Sequence, residues 1–441
     1  LTTNQSGTEP GGPMGQRPVF IVDGARTPFL KVRGRPGPFS PVDLAVQCGR
    51  PLLLRQKIPF DAFDQVILGC VNIPSVEMNP ARLAALRLGM GERMPAFTVQ
   101  INCGSGMLAI DAAFRRIGAG IHDLVLAGGC EALSHAPLLV KPEAVKWFAE
   151  LRRTRSWPKR IKKLAGFRFG FLKPAEGLKQ GLTDPLFELD MGQTAELLAH
   201  LFAVSREEAD RYAAASHQRL ALAQAEGRLD DEIEPAVSRE GELFTMDDGV
   251  RLDTTPELLA KLPPVFEPPF GRVTAGNSSQ VTDGASWVIL ASEQALQKHR
   301  LTPKAVIIDS AWSALDPRIM GLGPVLSATT LLRRWNARLT DIDLWEINEA
   351  FAAQVLACLA AWDDSDFCRD ILGLEEPAGR IDPERMNVDG GAVSLGHPVG
   401  ASGNRIVLHL VNALGRRGLK FGIATECIGG GQGGAMLIER V

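Results

Sequence analysis

Asn387-Val388-Asp389-Gly390-Gly391-Ala392-Val393-Ser394-Leu395-Gly396-His397-Pro398-Val399-Gly400-Ala401-Ser402-Gly403 decides how the chain is read. Five glycines and one proline surround a single histidine. Glycine permits positive φ and close backbone approach, while proline fixes φ and removes a donor. His397 therefore sits in a loop held in one shape, just ahead of Ile406-Val407-Leu408, an apolar run that reads as helix. Downstream, Glu426-Cys427-Ile428-Gly429-Gly430-Gly431-Gln432-Gly433-Gly434 is a second glycine-rich turn, carrying a cysteine. Far upstream, Asn102-Cys103-Gly104-Ser105-Gly106-Met107 places another cysteine between a strand pattern, Ala96 to Gln100, and a helix pattern, Met107 to Gly118. Two cysteines and a histidine in glycine-shaped turns are the residue types of a nucleophile, an acid and a base.

Outward from these turns, buried-strand runs alternate with helical patterns. Pro18 to Ala25, Asp64 to Cys70, Ala96 to Gln100 and Asp123 to Ala127 read as strands; Val42 to Ile58 and Asn79 to Leu88 read as helices. The alternation predicts α/β layers. The order then recurs. Ala305 to Ala311 echoes Pro18 to Ala25, and Asp343 to Ile347 echoes Asp64 to Leu68. Gly400 to Gly403 opens a helix as Cys103 to Gly106 does, and Phe421 to Ala424 echoes Asp123 to Ala127. Two similar α/β halves are expected; chance similarity of short apolar strands is the plain alternative. The expected division is a disordered tail at 1–17, a first half at 18–132 and 282–302, an inserted domain at 133–281 and a second half at 303–441.

Composition narrows the function classes. A chain of 441 residues with net charge −3 has room for two or three domains and no global bias toward nucleic acid. Seven scattered cysteines without a CxxC argue against a disulfide framework or a zinc site. A reducing, cytoplasmic location is expected. No apolar run approaches the length that spans a bilayer.

These motifs resemble the thiolase family. The cysteine turn at Cys103, Asn348-Glu349-Ala350-Phe351, the Gly-His-Pro loop at His397 and Cys427-Ile428-Gly429-Gly430-Gly431 come in the family's order, over nearly everything from Pro18 to Val441. The resemblance implies a duplicated fold in five layers, αβαβα, with a loop domain between the halves. It implies reversible cleavage of a 3-ketoacyl-CoA by coenzyme A through an acyl-cysteine, or the reverse condensation of acetyl-CoA. Coenzyme A is then a substrate, and no metal or other cofactor is needed. Acyl-CoA and a second copy of the chain, as homodimer or dimer of dimers, are the implied partners.

Residue by residue, a thiol at a helix N-terminus meets a positive dipole end, which favours thiolate; a small buried hydrophobe is the bland reading of Cys103. His397, with an ordinary pKa near neutrality, is the candidate base. The resemblance assigns Cys427 proton transfer at the α-carbon of acetyl-CoA. It pairs the N–H groups of Cys103 and Gly429 as one oxyanion hole, and His397 with an Asn348-held water as the other. It also places Ser279 on the pantetheine arm. Asn348 as a helix cap, Gly429 as a turn glycine and Ser279 as a turn serine are the alternatives. A decarboxylating ketoacyl synthase would want a second histidine where Asn348 stands, and a non-catalytic acyl-CoA- or lipid-binding module would need none of the three.

Lys141 to Lys173 is the remaining informative stretch. Arg152, Arg153, Lys159, Arg160, Lys162 and Lys163 interleave with Trp147, Phe148, Leu151, Trp157, Ile161 and Leu164. The spacing predicts amphipathic helices broken at Pro158. Such a face suits an anionic membrane surface, a hydratase/dehydrogenase subunit like those of fatty-acid oxidation complexes, or the coenzyme A phosphates; a solvated basic face is the bland reading.

Overall fold

A computed structural model describes residues 17–441, without the side chains of Phe169 and Leu172. The expected tail at 1–17 lies outside the described residues except for Arg17. That residue is fastened down: its N–H donates to the Gly118 carbonyl at 3.0 Å and its guanidinium pairs with Asp123.

The first half runs β1 (Val19–Arg26), α1 (Pro41–Gln56), β2 (Gln65–Gly69), α2 (Pro80–Leu88), β3 (Ala96–Val99), α3 (Ser105–Gly118) and β4 (Leu124–Ala132). Local chemistry starts the helices. Ser40 and Asp43 form a reciprocal capping box ahead of Pro41, and Asn79 caps α2 ahead of Pro80, where a missing N–H costs nothing. The inserted segment carries α4 (Pro142–Arg153), α5 (Trp157–Ala165), α6 (Met191–Leu201) and α7 (Arg206–Ala225). Then come β5 (Thr282–Ser292), β6 (Ala305–Ala314), α8 (Gly323–Arg334), β7 (Leu344–Ile347), α9 (Ala352–Asp363), α10 (Val399–Arg417), β8 (Phe421–Ile428) and β9 (Gln432–Arg440).

The strands join in the order β7-β8-β9-β6-β1-β5-β4-β2-β3, with the seam between Val19–Ile21 and Ala305–Ile307. Read outward from the seam, each half repeats one plan: β1-β5-β4-β2-β3 and β6-β9-β8-β7, with Met386 beside Trp345 where β3 lies beside β2. The repetition reaches single residues. Register shifts after Ile21 in β1 and after Ile307 in β6. Asp64 Oδ2 accepts the N–H groups of Asp123 and Leu124 at the start of β4; Asp343 Oδ2 does the same for Lys420 and Phe421 at β8. The sequence echoes therefore fall on equivalent strands and helices of a duplicated fold. Helices α1 and α2 cover one outer face, α8 and α9 the other, and α3 and α10 lie between the halves, giving five layers.

Helix α10 is buried from Val399 to Leu414, polar residues included. Each of these needs a partner. Ser286 Oγ donates to Asn404 Oδ1 at 2.6 Å, and Asn404 Nδ2 donates to the Ala127 carbonyl. Arg405 pairs with Glu346 at 3.2 Å. His409 Nδ1 lies 3.0 Å from Glu232 Oε2 and its Nε2 lies 3.4 Å from Asp389 Oδ2. Glu232 also holds Arg26, which grips Asp247, so this cluster ties the inserted segment to α10 and β1. Burial alone would lower the pKa of His409, but the carboxylates of Glu232, Glu346 and Asp389 push it up to about 10. A folded-state pKa above the unfolded value stabilises fully below about pH 6.5, and that contribution is lost as pH rises through the folded value. His409→Gln should cost about 3–5 kcal/mol in urea unfolding at neutral pH. It should also flatten the alkaline loss of stability; an undiminished alkaline loss in the variant would assign that loss to other groups.

The basic segment forms two helices, but the break lies at 154–156. Pro158 stands in the first turn of α5, where proline is tolerated, so it starts a helix and does not break one. Trp147 packs edge-on against Phe148 and Phe167, with Phe171 beside them, forming a small aromatic core of its own. The hairpin stands on a stem of two short paired strands, Leu138–Leu139 and Ala175–Glu176.

Candidate active site

The nucleophile candidate sits at the crossing of the two central helices. Helix α3 begins at Ser105, directly after the cysteine turn, and Asn102 adopts φ 47. Ser105 Oγ donates to the Asn102 carbonyl and accepts the Ile101 N–H, closing the turn. The first turn of α3 lies on the start of α10: a Cβ at Gly106 would meet the Asn404 nitrogen at 2.7 Å and the Gly400 carbonyl at 3.0 Å. Only glycine lets the helices approach so closely, and Val399, two residues after His397, lines the same cavity as Cys103.

Cys103 is half-buried, while the other six cysteines are buried. The backbone N–H groups of Gly429 and of Cys103 itself favour its ionised form. Burial nevertheless dominates and pushes the thiol up to about 12, with the Glu426 carboxyl opposing ionisation further. The thiolate expected from the helix N-terminus is therefore not the resting form, because desolvation outweighs the dipole and the two N–H groups. A base must take the proton during attack.

His397 is built for that. Gly396 adopts φ 106, and a Cβ there would lie 2.0 Å from Thr282 Oγ1, so the loop requires glycine. The His397 N–H donates to the Gln280 carbonyl at 3.0 Å and to Thr282 Oγ1 at 2.9 Å. Nδ1 lies 2.6 Å from Ser402 Oγ, and that hydroxyl donates to the Pro398 carbonyl at 3.1 Å. With the Ser402 proton on Pro398, Nδ1 carries hydrogen and Nε2 presents a lone pair. Nε2 is buried with no protein partner. Burial, helped by Arg405, lowers the imidazole pKa to about 4, so the ring is neutral at physiological pH.

Cys427 ends β8, buried beside Phe351, Ala350 and Met320, and burial holds its thiol well above the ordinary range. A neutral thiol is a proton donor. It lies near enough to Cys103 that either charge would oppose the other. After it, the Gly429 carbonyl accepts Asn102 Nδ2 at 2.8 Å, fastening this turn to that of Cys103.

Asn348 is fully buried, and neither Oδ1 nor Nδ2 has a hydrogen-bond partner. It caps no helix: α9 starts after Phe351, and the Asn348 N–H donates to the Thr425 carbonyl instead. Ser279 donates its N–H to the Ala350 carbonyl, and Gln280 next to it holds the His397 N–H, so one strand of backbone stitches the Asn348 and His397 loops together.

Three residues escaped the reading of the sequence. Asn102 clamps the Cys103 turn to Gly429; an asparagine before the cysteine, in a turn, is a signal for positive φ. Ser402 fixes the His397 ring, five residues away in the same glycine-rich stretch. Glu349 gathers Tyr212, Ser216, Asn387 and the Val393 N–H under the Asn348 loop, and nothing local announces those contacts.

Residues 19–294 match the family model described as "Thiolase, N-terminal domain" and residues 301–440 that of "Thiolase, C-terminal domain". The chain is 39% identical over 432 residues to the mitochondrial 3-ketoacyl-CoA thiolase of Bos taurus, covering 96% of this chain and 98% of that one. It is 40% identical over 430 residues to the beta-ketoadipyl-CoA thiolase of Pseudomonas aeruginosa, covering 96% of this chain and all of that one (100%). The crystal structure of human mitochondrial 3-ketoacyl-CoA thiolase in complex with CoA aligns with TM-score 0.82 at 38% identity, over 96% of this chain and 98% of that one. With motifs, duplicated architecture and full-length similarity in agreement, the chain belongs to the thiolase family of coenzyme A-dependent acyltransferases.

Proposed function

We propose that the chain cleaves a 3-ketoacyl-CoA with coenzyme A, yielding acetyl-CoA and an acyl-CoA two carbons shorter. The observation that carries this reading is a cysteine at the start of a central helix, opening on a cavity shared with Gly429 and with Val399, two residues after His397, whose buried Nε2 is unpaired.

His397 Nε2 takes the Cys103 proton as the sulfur attacks the 3-keto carbon. The bond between the α- and β-carbons breaks, and Cys427, kept protonated by burial, protonates the departing enolate at carbon. The imidazolium returns a proton to the Cys427 thiolate. Neutral His397 then takes the proton of coenzyme A as its sulfur attacks the acyl-cysteine, and hands it to Cys103 as that sulfur leaves. The Cys103 and Gly429 N–H groups meet negative charge on one thioester oxygen; His397 and the unpaired amide of Asn348 meet it on the other. Ser279 lies on the pantetheine arm. The reaction is ping-pong, in two covalent half-reactions. The ketoacyl-synthase reading is disfavoured, since Asn348 replaces its second histidine and Cys427 would have no task.

Thiolysis followed by loss of the 3-ketoacyl enolate absorbance, with mass measurement of the quenched enzyme, tests this. Turnover with an acyl mass on Cys103 is expected; turnover with no acylated enzyme would remove the covalent mechanism.

A reducing compartment suits seven free thiols. The half-buried edge strand β3 offers a self-complementary pairing surface for a homodimer, alone or within a dimer of dimers. The α4–α5 hairpin exposes Val145, Phe148, Trp157, Ile161 and Leu164 amid its lysines and arginines, a face suited to anionic lipid. Sedimentation with anionic vesicles should show binding that high salt weakens and that reversal of Arg152, Arg153, Lys159, Arg160, Lys162 and Lys163 to glutamate removes. No binding at low salt would leave an acidic hydratase/dehydrogenase subunit as the partner of that face.

A further inference from the structure

The cavity that opens on Cys103 and Gly429 has a volume of about 320 Å³. Its apolar walls include Val71, Met191 and Val399 beside Leu139, Leu178 and Leu182 near the base of the inserted hairpin, and Asn72, Asn102 and Thr183 add neutral polar groups. Ser279 and Asn348 are not among the described residues that line it. Apart from Cys103, Asp184 is the only ionisable side chain among the described residues of the lining. That carboxyl is fixed in place, its Oδ1 accepting the N–H groups of Leu186 at 2.9 Å and Phe187 at 3.0 Å. No lysine, arginine or histidine is among the described residues that line the cavity.

We propose that this cavity holds the acyl tail, and that it selects an uncharged hydrocarbon tail of medium length and rejects a tail ending in a carboxylate. The inference rests on the thiolase reading above. A hydrocarbon tail gains by leaving water against these apolar side chains, about three- to fourfold in affinity for each methylene buried. A terminal carboxylate would lose its hydration with no cation to meet it and would face Asp184 besides. The volume sits near the lower end of the roughly 300–1,000 Å³ typical of small-molecule pockets, which sets the medium length. The two relatives compared above are named for an acyl and for a ketoadipyl substrate; the lining favours the former type.

The test compares 3-ketohexanoyl-CoA with 3-ketoadipyl-CoA, which have equal length and differ at the far end, methyl against carboxylate. At least about a tenfold preference in kcat/KM for the methyl end is expected. Along the uncharged series, kcat/KM should climb from acetoacetyl-CoA to 3-ketooctanoyl-CoA and level off once the tail outgrows the cavity. Leu178→Arg should shrink the preference between the two six-carbon substrates by about tenfold, by supplying a cation. The ratio is read within one preparation, so partial unfolding scales both substrates alike; Leu182→Lys, at a more exposed position, repeats the test should Leu178→Arg not fold. A ratio near one in the native enzyme, or a ratio unmoved in both variants, overturns the proposal while leaving the thiolase reading intact. Absence of turnover with every 3-ketoacyl-CoA would overturn that reading, and this inference with it.

Discussion

Cys103→Ala should lose on the order of 10⁴-fold or more in kcat and should form no acyl-enzyme. Removing the nucleophile removes both half-reactions, and His397 has nothing to deprotonate in the first. The loss should not reflect unfolding. Cys103 is half-buried at a cavity, and alanine leaves the Asn102–Gly429 clamp and the Ser105 hydroxyl contacts in place. The native enzyme supplies a second readout. Brief iodoacetamide treatment should label Cys103 first, because it is half-buried where the other six cysteines are fully buried. The labelling rate should keep rising well into alkaline pH, since burial has pushed this thiol up to about 12. Comparable labelling of all seven cysteines, or an active alanine variant, would end the assignment. A labelling plateau near pH 7 would show instead that a thiolate is the resting form.

Cys427→Ala should separate the two kinds of chemistry. Acyl transfer from an acyl-CoA to Cys103 needs no proton at carbon and should survive. Exchange of deuterium into the methyl group of acetyl-CoA, and thiolysis itself, should fall by roughly 10²–10⁴-fold, the usual worth of a positioned acid or base. The neighbouring burial sharpens the test. A thiol held far above its ordinary pKa among Phe351, Ala350 and Met320 gives up its proton only to a strong base such as an enolate. Serine at this position should rescue little, because a hydroxyl is a weaker acid still. If methyl exchange persists at the native rate in the alanine variant, another group moves that proton and Cys427 is packing.

Much of this was legible before any fold was known. Glycine and proline act through their own backbone chemistry, so the loops around His397 and Cys427 could be read where they stand. The duplication was legible too, because an aspartate before a strand does the same local work twice, at Asp64 and at Asp343. Local signals failed in the hairpin, where Pro158 was read as a break. Proline disrupts a helix interior but starts a helix well, and only the position of the first turn tells these apart.

What the sequence determined by itself was the set of turns, the alternation of strand and helix, and the residue types able to perform covalent chemistry. The tertiary structure decided the protonation states. At a helix N-terminus the Cys103 thiol was expected to ionise; packed near β8 and α10, it meets a desolvation penalty larger than dipole and N–H groups together, and the resting thiol keeps its proton. His397, in the loop before α10, is lowered, and His409, twelve residues along within α10, is raised, because burial and Arg405 act on the first while three carboxylates face the second. Such differences arise between groups far apart in the chain. Coulombic and desolvation energies depend on distance and burial, which no local stretch of sequence contains.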